Sequence, residues 1–496
     1  MLAASVLLTI VALTALYSNP LLGVSIPYVN QTWDRSGPEQ QSHGDNTPET
    51  KQHAIPTADY KTAAPVTQNL ESPSVAPDTH HEVFSQSTLN KQYFFMNFGG
   101  HGAINPSIIP HPSQPDVWVI VGQKTDKDNG VAVFFHELSC NARFEQDILS
   151  CIDLPMNLPV TAVFSPHCTD DLWIVAPHQG PRDARVFYGP EAPYAIWGSQ
   201  SAHTCLGQWT QDFRMLTAWE GASYNLIDQE LFGRATDLQH APSLEPVRPI
   251  QKNWFLFWDT EGQAYAHYEI NPRRSFAKVE PDGSAKEDLA PLAKVSDEVC
   301  MQKLMPDISA TARTAAQEPE YESLHQATNS LSITLCKRDD PNCQKSEDNT
   351  FIMTVFQHKK YYGFHSVYDP YVMLFKQTAP FEVYGISSKP IWFHGRRKAG
   401  APLQPPGLSL DNIPKDQSLM FYVASMNWKN PGLKYHGYLD DVVFLAFGIE
   451  DTLSAGIDVS AEDLLGGLRL CADAALEAMG EASPLSAGEE VLPMPR

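Results

Sequence analysis

The sequence predicts an all-β head built from antiparallel meanders. Short β-branched and aromatic runs, bounded by Gly, Pro, Asn and Asp, recur along most of the chain. No ten-residue apolar helices separate these runs, which argues against a doubly wound α/β fold. Barrel, sandwich and propeller remain, and a propeller best accommodates this length because it adds sheets radially. The clearest runs are residues 117–121, 131–135, 172–175, 194–197, 254–258, 351–356, 371–375, 420–424 and 442–447.

Helical periodicity is visible only near the C-terminus, over residues 461–479. Ser460 and Asp463 open this segment with a pattern like a capping box. We therefore expect one short C-terminal helix, followed by a disordered tail at 480–496. The polar run at 310–328 is interpreted as a loop inserted into the head.

The N-terminus predicts translocation into the secretory pathway. No charged side chain occurs before Asp34, and residues 2–17 and 21–24 are almost wholly apolar. A helix needs roughly 20 apolar residues to cross the hydrocarbon core, so residues 1–24 are interpreted as an uncleaved signal anchor. A cleaved signal peptide is the alternative, because its apolar region is shorter, about 7–15 residues, and the protein would then be secreted.

The segment at 25–92 is predicted to be a disordered stem. It is rich in Pro, Ser, Thr, Gln, His and Asn and shows neither a helical nor a strand period. Such a segment cannot bury enough apolar surface to offset its ordering entropy. Asn30 opens the only N-x-[ST] sequon of the chain and is the candidate glycosylation site. Anchor, stem and a head at 93–479 together describe a single-pass type II membrane protein of the Golgi or secretory lumen.

Charge and cysteine content restrict the partners and cofactors. The net charge of −23 repels the phosphate backbone, so nucleic-acid binding is excluded. Eight cysteines in a secretory chain indicate disulfides. No cysteine or histidine spacing fits a zinc site, and neither a metal nor another cofactor is expected. Proximity in sequence suggests the pairs Cys140 with Cys151, Cys168 with Cys205, and Cys336 with Cys343, leaving Cys300 and Cys471.

Four polar segments lie beside predicted strands, at residues 99–107, 180–188, 252–254 and 434–441. Each alone is explained as a β-turn, because its residues are turn formers. In this order, however, they resemble the signature of the five-bladed β-propeller mannoside phosphorylases and the related fungal β-1,2-mannosyltransferases. The family's Asn-Pro is matched by Asn105-Pro106, and its late Tyr-x-Gly-x-x-Asp turn by Tyr435 to Asp440. The resemblance spans about residues 98–471.

The resemblance implies roles for particular residues. Asp183 matches the catalytic carboxylate, a general base toward the acceptor hydroxyl in a transferase and a general acid in a phosphorylase. Arg185 matches the motif arginine that binds phosphate or orients the sugar, and Lys252 matches the lysine that faces phosphate. The remaining implied contacts are hydrogen bonds to sugar hydroxyls from Asn105, His436 and Asp440, and stacking on a pyranose by Trp254 and Tyr435. Strand-core packing explains Trp254 equally well.

One departure from the family bears on the reaction. Where the family has Glu-Asp-Pro-Arg, this chain has Arg182-Asp183-Ala184-Arg185. The more positive surroundings stabilise an ionised carboxylate, which favours a base role for Asp183. With the anchored topology, the resemblance predicts an inverting mannosyltransferase that uses GDP-mannose as donor and a glycan or mannan as acceptor. A mannoside phosphorylase or glycosidase, and a non-catalytic carbohydrate-binding propeller, are the alternatives.

Overall fold

The computed structural model describes residues 76–125, 133–219, 227, 230–244, 247–306, 308, 320–362, 365–397, 413 and 417–481. Within these ranges the fold is all-β with three short α-helices, which confirms the predicted class. The predicted anchor, the Asn30 sequon, most of the stem and nearly all of the tail lie outside them. No helix in the described part of the chain is long and apolar enough to cross a bilayer.

Most of the strands form five antiparallel meanders. The strands of the first half are β1 (His81–Val83), β2 (Phe94–Asn97), β3 (Ala103–Pro110), β4 (Trp118–Lys124), β5 (Val133–Phe134), β6 (Glu137–Glu145), β7 (Ile148–Cys151), β8 (Met156–Asn157), β9 (His178–Gln179), β10 (Arg182–Tyr188), β11 (Pro193–Gln200), β12 (Leu206–Asp212) and β13 (Thr236–Leu238). Those of the second half are β14 (Phe255–Trp258), β15 (Ala264–Glu269), β16 (Ser275–Lys278), β17 (Glu320–Gln326), β18 (Leu331–Thr334), β19 (Thr350–Tyr362), β20 (His365–Lys376), β21 (Val383–Ser387), β22 (Ile391–Phe393), β23 (Phe421–Trp428), β24 (His436–Tyr438), β25 (Val442–Ile449), β26 (Leu453–Ser460) and β27 (Leu468–Leu470).

The order of strands within the sheets defines the meanders. Meander 1 is β3-β4-β6-β7, meander 2 is β10-β11-β12-β13, and meander 3 is β14-β15-β16. In meander 4, β17 and β18 both pair with β19, which leads to β20 and β21. Meander 5 is β23-β25-β26 with β2 as its last strand. The first strands of meanders 1, 2 and 5 contact one another, so these three strands are innermost.

Apolar side chains fill the space between neighbouring meanders. Ile109 and Val119 of meander 1 pack with Val186 and Trp197 of meander 2. A second cluster joins meanders 2, 3 and 4, a third joins 4 and 5, and a fourth joins 5 and 1. The five sheets therefore pack on one another in a closed ring, with the hydrophobic core distributed between them.

The segment before meander 1 closes the ring. Strand β2 is antiparallel to β26 and parallel to β7, so it lies between the last and the first meander. Asp458 of β26 is fully buried and accepts hydrogen bonds from the hydroxyls of Ser85 at 2.5 Å and Ser87 at 2.8 Å. The Nζ of Lys429 donates to the same carboxylate at 2.7 Å. A buried, paired carboxylate thus ties the N-terminal segment to meander 5.

Within the described residues the predicted strand runs fall on strands with one exception, and residues 131–132 of the run at 131–135 lie outside the described ranges. Residues 172–175 were expected to form a strand, but a 3-10 helix at Asp170–Leu172 begins a series of turns there. The N–H groups of Trp173, Val175 and Ala176 donate to carbonyl oxygens three residues earlier. These N–H groups are not available to a neighbouring strand, so the local turn prevails over the β propensity of the side chains.

The predicted C-terminal helix is present but interrupted. The helices are α1 (Ala290–Leu304), α2 (Ala461–Leu464) and α3 (Cys471–Glu481), and short 3-10 helices lie at Asp170–Leu172, Phe213–Met215 and Pro242–Leu244. The hydroxyl of Ser460 accepts the Asp463 N–H at 3.1 Å, as the capping pattern predicts. Between α2 and α3, Gly466 and Gly467 precede β27, which pairs with β21. The middle of the expected helix therefore forms a strand of the sheet instead.

Helix α1 was not predicted from the sequence. Its buried positions recur at helical spacing, but Ala290, Ala293, Asp297 and Cys300 contribute little apolar surface. Only Leu304 supplies a large apolar side chain to this face. The spacing alone was the available signal, because the face is too polar to produce a hydrophobic stripe.

Four disulfides join all eight cysteines. Three are the pairs that proximity suggested: Cys140–Cys151, Cys168–Cys205 and Cys336–Cys343. The two remaining cysteines join each other as Cys300–Cys471, across 171 residues of sequence. This last disulfide connects α1 to the beginning of α3.

Two expected irregular segments contain strands. β1 lies within residues 25–92, assigned to the stem, and pairs in parallel with β22. β17 lies within residues 310–328, assigned to an inserted loop, and pairs with β19. The predicted stem and the predicted loop therefore each include residues that form a strand. These residues show no strand period in the sequence, but pairing with a distant strand satisfies their backbone N–H and C=O groups.

Candidate functional site

Three polar residues with left-handed backbone lie at the beginning of the first strands of meanders 1, 2 and 3. The φ angles are +50° at Asn105 in β3, +52° at Asp183 in β10, and +60° at Asn253 just before β14. The strand register shifts at the first two of these positions, so Asn105 and Asp183 each lie in a β-bulge. Non-glycine residues hold this conformation only where surrounding contacts impose it, and such positions cluster at functional sites.

The structure brings two of the predicted site residues into direct contact. The Nδ2 of Asn105 donates to Oδ1 of Asp183 at 2.7 Å. Asn105 is buried, its Oδ1 has no hydrogen-bond partner among the described residues, and Asp183 is partly exposed. The asparagine thus orients the carboxylate through one oxygen, while solvent or a ligand reaches the group from the other side.

All five meanders contribute polar side chains to the surroundings of Asp183. Asp183 interacts electrostatically with Lys252, Tyr422 and Asp451. Lys252 in turn interacts with His325 and Lys359. We call this group the central cluster: Asn105 from meander 1, Asp183 from meander 2, Lys252 preceding meander 3, His325 and Lys359 from meander 4, and Tyr422 and Asp451 from meander 5.

Burial shifts the ionisation of the central cluster. It lowers the pKa of Lys359 to about 8, assisted by the charge of Lys252. Burial also lowers the pKa of Lys252, which the carboxylate of Asp183 opposes. The pKa of Asp451 is raised to about 6 by burial, with Asp183 and Glu450 acting in the same direction. Burial lowers the pKa of His325 to about 4, so its ring is neutral at pH 7.

Most residues of the central cluster are reached by solvent although protein surrounds them. Asp183, Lys252, His325 and Tyr422 are partly exposed, and Asp451 is exposed. Burial is nevertheless the largest cause of the shifted pKa of Lys252, His325, Tyr422 and Asp451. These side chains therefore combine access to solvent with enclosure by protein, as residues of ligand sites do.

Arg182 adds a cation beside Asp183. Its guanidinium carbon lies 4.1 Å from the centre of the Phe135 ring, within cation–π range. Burial lowers the pKa of Arg182 to about 10, against the attraction of Asp183. Its Nε and Nη2 have no hydrogen-bond partner among the described residues. Arg182 therefore contributes positive charge to this region.

Arg185 does not have the expected ligand-binding geometry. It is buried, and its Nη2 donates to the carbonyl of Trp254 at 2.5 Å, while Nη1 donates to that of Ala327 at 3.4 Å. Burial lowers the pKa of Arg185 to about 10. The guanidinium is occupied by backbone carbonyls of the segments before β14 and β18. It links meanders 2, 3 and 4 instead of presenting a fork to phosphate.

The two aromatic residues predicted to stack on a sugar belong to the core. Trp254 is 1% exposed and packs edge to face against Tyr268, with ring centres 4.6 Å apart. Tyr435 is 3% exposed, and its hydroxyl lies 2.9 Å from that of Ser330. No face of either ring is available to a ligand. Strand-core packing, the alternative explanation for Trp254, therefore applies to both.

His436 and Asp440 lie at the other end of meander 4. The Nε2 of His436 lies 2.8 Å from the hydroxyl of Thr334, which is paired with Thr350, and Oδ1 of Asp440 accepts the Arg338 N–H at 2.8 Å. Strand β19 runs from Thr350 to Lys359 of the central cluster, nine positions later. At about 3.3 Å per residue this separates the two sites by roughly 30 Å. The structure therefore does not bring these two residues to Asp183.

Sequence reasoning missed several residues of the site. They are Gln123, Glu137, His325, Lys359, Tyr422 and Asp451. A weak signal existed for Lys359, because the polar residues Gln357 to Lys360 interrupt the strand-type run of β19. Strand register and a turn bring the other residues to the site, and no local sequence motif indicates these positions. Among the residues described, no group of His, Cys, Asp and Glu is arranged to hold a metal ion.

No protein-family model matches this sequence, and no curated protein sequence matches it. Solved structures with some likeness include MPT-1, a GDP-Man-dependent mannosyltransferase from Leishmania mexicana, at 11% identity and a TM-score of 0.37, covering 75% of this chain and 91% of that one. A β-1,2-mannobiose phosphorylase from Listeria innocua matches at 11% identity and a TM-score of 0.40, covering 74% and 92%. MPT-4, a mannose phosphorylase from Leishmania mexicana, matches at 11% identity and a TM-score of 0.36, covering 78% and 92%.

Proposed function

We propose that the protein is a five-bladed β-propeller enzyme that transfers mannose, with inversion, from GDP-mannose to a glycan acceptor. The observation that carries the proposal is the central position of Asp183. Its carboxylate is oriented by Asn105, partly exposed, and surrounded by polar groups from all five meanders. The ordered motifs around Asn105, Asp183 and Lys252 support the same assignment, because these segments converge in the structure.

In the proposed reaction, Asp183 acts as general base. The acceptor hydroxyl attacks the anomeric carbon, and its proton passes to the Asp183 carboxylate. The bond from the anomeric carbon to the diphosphate oxygen breaks, and GDP leaves with the electron pair. A single displacement inverts the configuration at that carbon, so an α-linked donor yields a β-linked product.

Three cations suit a diphosphate leaving group. Lys252 and Arg182 interact electrostatically with Asp183, and Lys359 lies beside Lys252. Negative charge develops on the diphosphate as its bond to the sugar breaks, and fixed cations in a partly desolvated site stabilise that charge.

The disulfides support a location in the secretory lumen. All eight cysteines are paired, and disulfides persist in oxidising compartments. The location fits the apolar N-terminus, whether it anchors the chain or is cleaved. Expression in cells with an epitope at the C-terminus, followed by protease protection of isolated membranes, tests this placement. Digestion of the epitope in intact vesicles would contradict it.

The reaction is tested with the purified full chain, radiolabelled GDP-mannose and mannan oligosaccharide acceptors. We expect acceptor-dependent release of GDP and a β-linked product, and a loss of at least about 1,000-fold in kcat for Asp183→Asn. Asp440→Asn is the matched control, since the same change lies at the far end of meander 4 and should leave kcat unchanged. Full activity of Asp183→Asn, or no turnover of GDP-mannose by the wild-type chain, would refute the proposal.

A mannoside phosphorylase is the second candidate, because the same cations would bind inorganic phosphate. Release of mannose 1-phosphate from β-mannobiose, dependent on added phosphate and absent without it, would establish that reaction. A non-catalytic carbohydrate-binding role predicts a third outcome: glycan binding with neither activity. That role requires Asp183→Ala to leave the cellular function intact.

A further inference from the structure

Two side chains of meander 1 hold the backbone of meander 2 at the candidate catalytic residue. Oε1 of Gln123 accepts the N–H of Asp183 at 3.0 Å, and Oε1 of Glu137 accepts the N–H of Ala184 at 3.1 Å. Gln123 in β4 and Glu137 in β6 are directly opposite each other in the sheet. One cross-strand pair therefore receives two successive N–H groups of the bulge that carries Asp183.

The bulge needs such partners because its N–H groups do not take part in the regular hydrogen bonding between β10 and β11. The register of β10 against β11 shifts between Arg182 and Arg185, and Asp183 has a φ of +52°. The N–H groups of Asp183 and Ala184 would otherwise be left without acceptors in the interior. Gln123 is 5% exposed and Glu137 is fully buried, so their oxygens are firmly placed. Side-chain acceptors here replace the strand ladder.

We propose that Gln123 and Glu137 are positioning residues that impose the left-handed conformation of Asp183 and thereby hold its carboxylate against Asn105. The conformational part of this proposal depends only on the geometry, whereas its catalytic consequence rests on the proposed function. Without the two acceptors, the bulge relaxes toward extended backbone, which is favoured for a non-glycine residue. The carboxylate then moves away from Nδ2 of Asn105.

Glu137 performs this role through one carboxyl oxygen, and burial disfavours the charged form of this carboxyl group. Burial raises the pKa of Glu137 well above its usual value, the Ala184 N–H opposes the shift, and the charge of Asp183 adds to it. An uncharged acid still accepts an N–H through its carbonyl oxygen. A glutamine at this position therefore preserves the interaction, which distinguishes an acceptor from a charged partner.

The conformational part is tested by crystal structures of Glu137→Gln, Glu137→Leu and Gln123→Leu. We expect Asp183 to keep its positive φ and its contact with Asn105 in Glu137→Gln. In both leucine variants we expect an extended φ and a lengthened contact between Nδ2 of Asn105 and Oδ1 of Asp183, now 2.7 Å. A positive φ and an unchanged contact in the leucine variants would overturn the proposal, whatever the protein catalyses.

The catalytic consequence is tested with the same variants in the transfer assay. A shift of about 1 Å in a catalytic group costs up to about 100-fold, so we expect the leucine variants to lose about 10- to 100-fold in kcat with little change in KM. Glu137→Gln should restore nearly full kcat. Equal losses in Glu137→Gln and Glu137→Leu would refute the acceptor role.

Gln377→Leu is the matched control for removal of a buried glutamine. Gln377 is buried, and its Nε2 donates to the carbonyl of Trp258 at 3.1 Å. It follows Lys376, which pairs with Phe351, so it lies roughly 25 Å along β19 from Lys359. The Gln377→Leu substitution should lower stability without altering kcat. If the wild-type chain transfers no mannose, the proposed function fails, while the crystal structures still decide whether Gln123 and Glu137 hold Asp183.

Discussion

Asp451 presents a carboxylate of the central cluster on a three-residue turn between β25 and β26. The first two turn residues are left-handed, with φ of +51° at Glu450 and +45° at Asp451. Hairpin turns of this kind favour Asn and Gly, so a Glu-Asp pair requires support from its surroundings. Oε1 of Glu450 supplies it by accepting the Met420 N–H at 2.5 Å and lying 3.2 Å from Nε2 of His365.

The ionisation of Asp451 and Lys359 predicts how an anionic donor binds as pH changes. The pKa of Asp451 is about 6, and that of Lys359 is about 8. As pH rises through 6, Asp451 gains a negative charge, and as it rises through 8, Lys359 loses a positive one. Both changes weaken attraction for a diphosphate, so the Kd for GDP-mannose should increase in two steps between pH 5 and pH 9.

Isothermal titration calorimetry across this range measures the effect, since the donor diphosphate does not titrate there. Asp451→Asn should remove the lower step and leave the upper one, while Lys359→Met should do the reverse. A Kd independent of pH, or a Kd that decreases as pH rises, would contradict the assignment of these two charges.

Strand β25 approaches the candidate site through a residue that has no side chain. A Cβ on Gly448 would lie 3.0 Å from Oδ1 of Asn105, and the backbone there has no positive φ that would itself exclude alanine. The close approach of a strand from meander 5 to a residue of meander 1 therefore helps to place Asn105, and through it Asp183.

Gly448→Ala should displace Asn105 and weaken its hydrogen bond to Asp183. We expect kcat of transfer to fall about 10-fold, because small displacements of catalytic groups are costly, with only a small change in the midpoint of thermal unfolding. Gly467→Ala is the control, as its Cβ would meet Oγ of Ser388 at an ordinary 3.6 Å. Unchanged kcat in Gly448→Ala would show that this contact is irrelevant to the site.

At the scale of the whole molecule, closure of the ring depends on a buried ion pair. Asp458 is fully buried, the Lys429 side chain is 20% exposed, and the hydroxyls of Ser85 and Ser87 complete the carboxylate's partners. Asp458→Asn leaves the lysine without its counter-charge and turns one acceptor into a donor. Loss of one partner of a buried pair costs roughly 3 kcal/mol or more.

Equilibrium unfolding in guanidinium chloride measures this loss, with the exposed Asp348→Asn as control. The control should change the free energy of unfolding by less than about 0.5 kcal/mol. A similarly small change in Asp458→Asn would show that the N-terminal segment is not held to meander 5 by this carboxylate.

The long disulfide constrains the unfolded chain far more than the short one does. Cys300–Cys471 spans 171 residues, and Cys336–Cys343 spans 7. In the chain-entropy model, replacing the first pair by alanine should lower the free energy of unfolding by about 5 kcal/mol, and replacing the second by about 2.5 kcal/mol. Equal losses in urea unfolding of the two double variants would contradict an entropic origin.

The all-β class and most of the strands were predictable because strand propensity and turn residues act locally. The same holds for the Ser460 cap and for the three disulfides between cysteines close in sequence. Failures occurred where local patterns competed with longer-range pairing, as at β17, or where a buried face was made of Ala, Asp and Cys, as in α1. The strand prediction for residues 172–175 failed for the opposite reason, because local turns form there despite the strand propensity of the side chains.

For the candidate site, the sequence by itself determined which segments carry reactive residues: Asn105, Asp183 and Lys252 belong to recognisable short motifs. Only the tertiary structure decided which side chains meet. Trp254 and Tyr435 are enclosed by packing between meanders, and His436 and Asp440 lie at the far end of meander 4. Gln123, Glu137, Lys359 and Asp451 reach Asp183 through strand register and a hairpin turn. The physical reason is that a closed ring brings together residues far apart in sequence, and their burial and charges are set only once it forms.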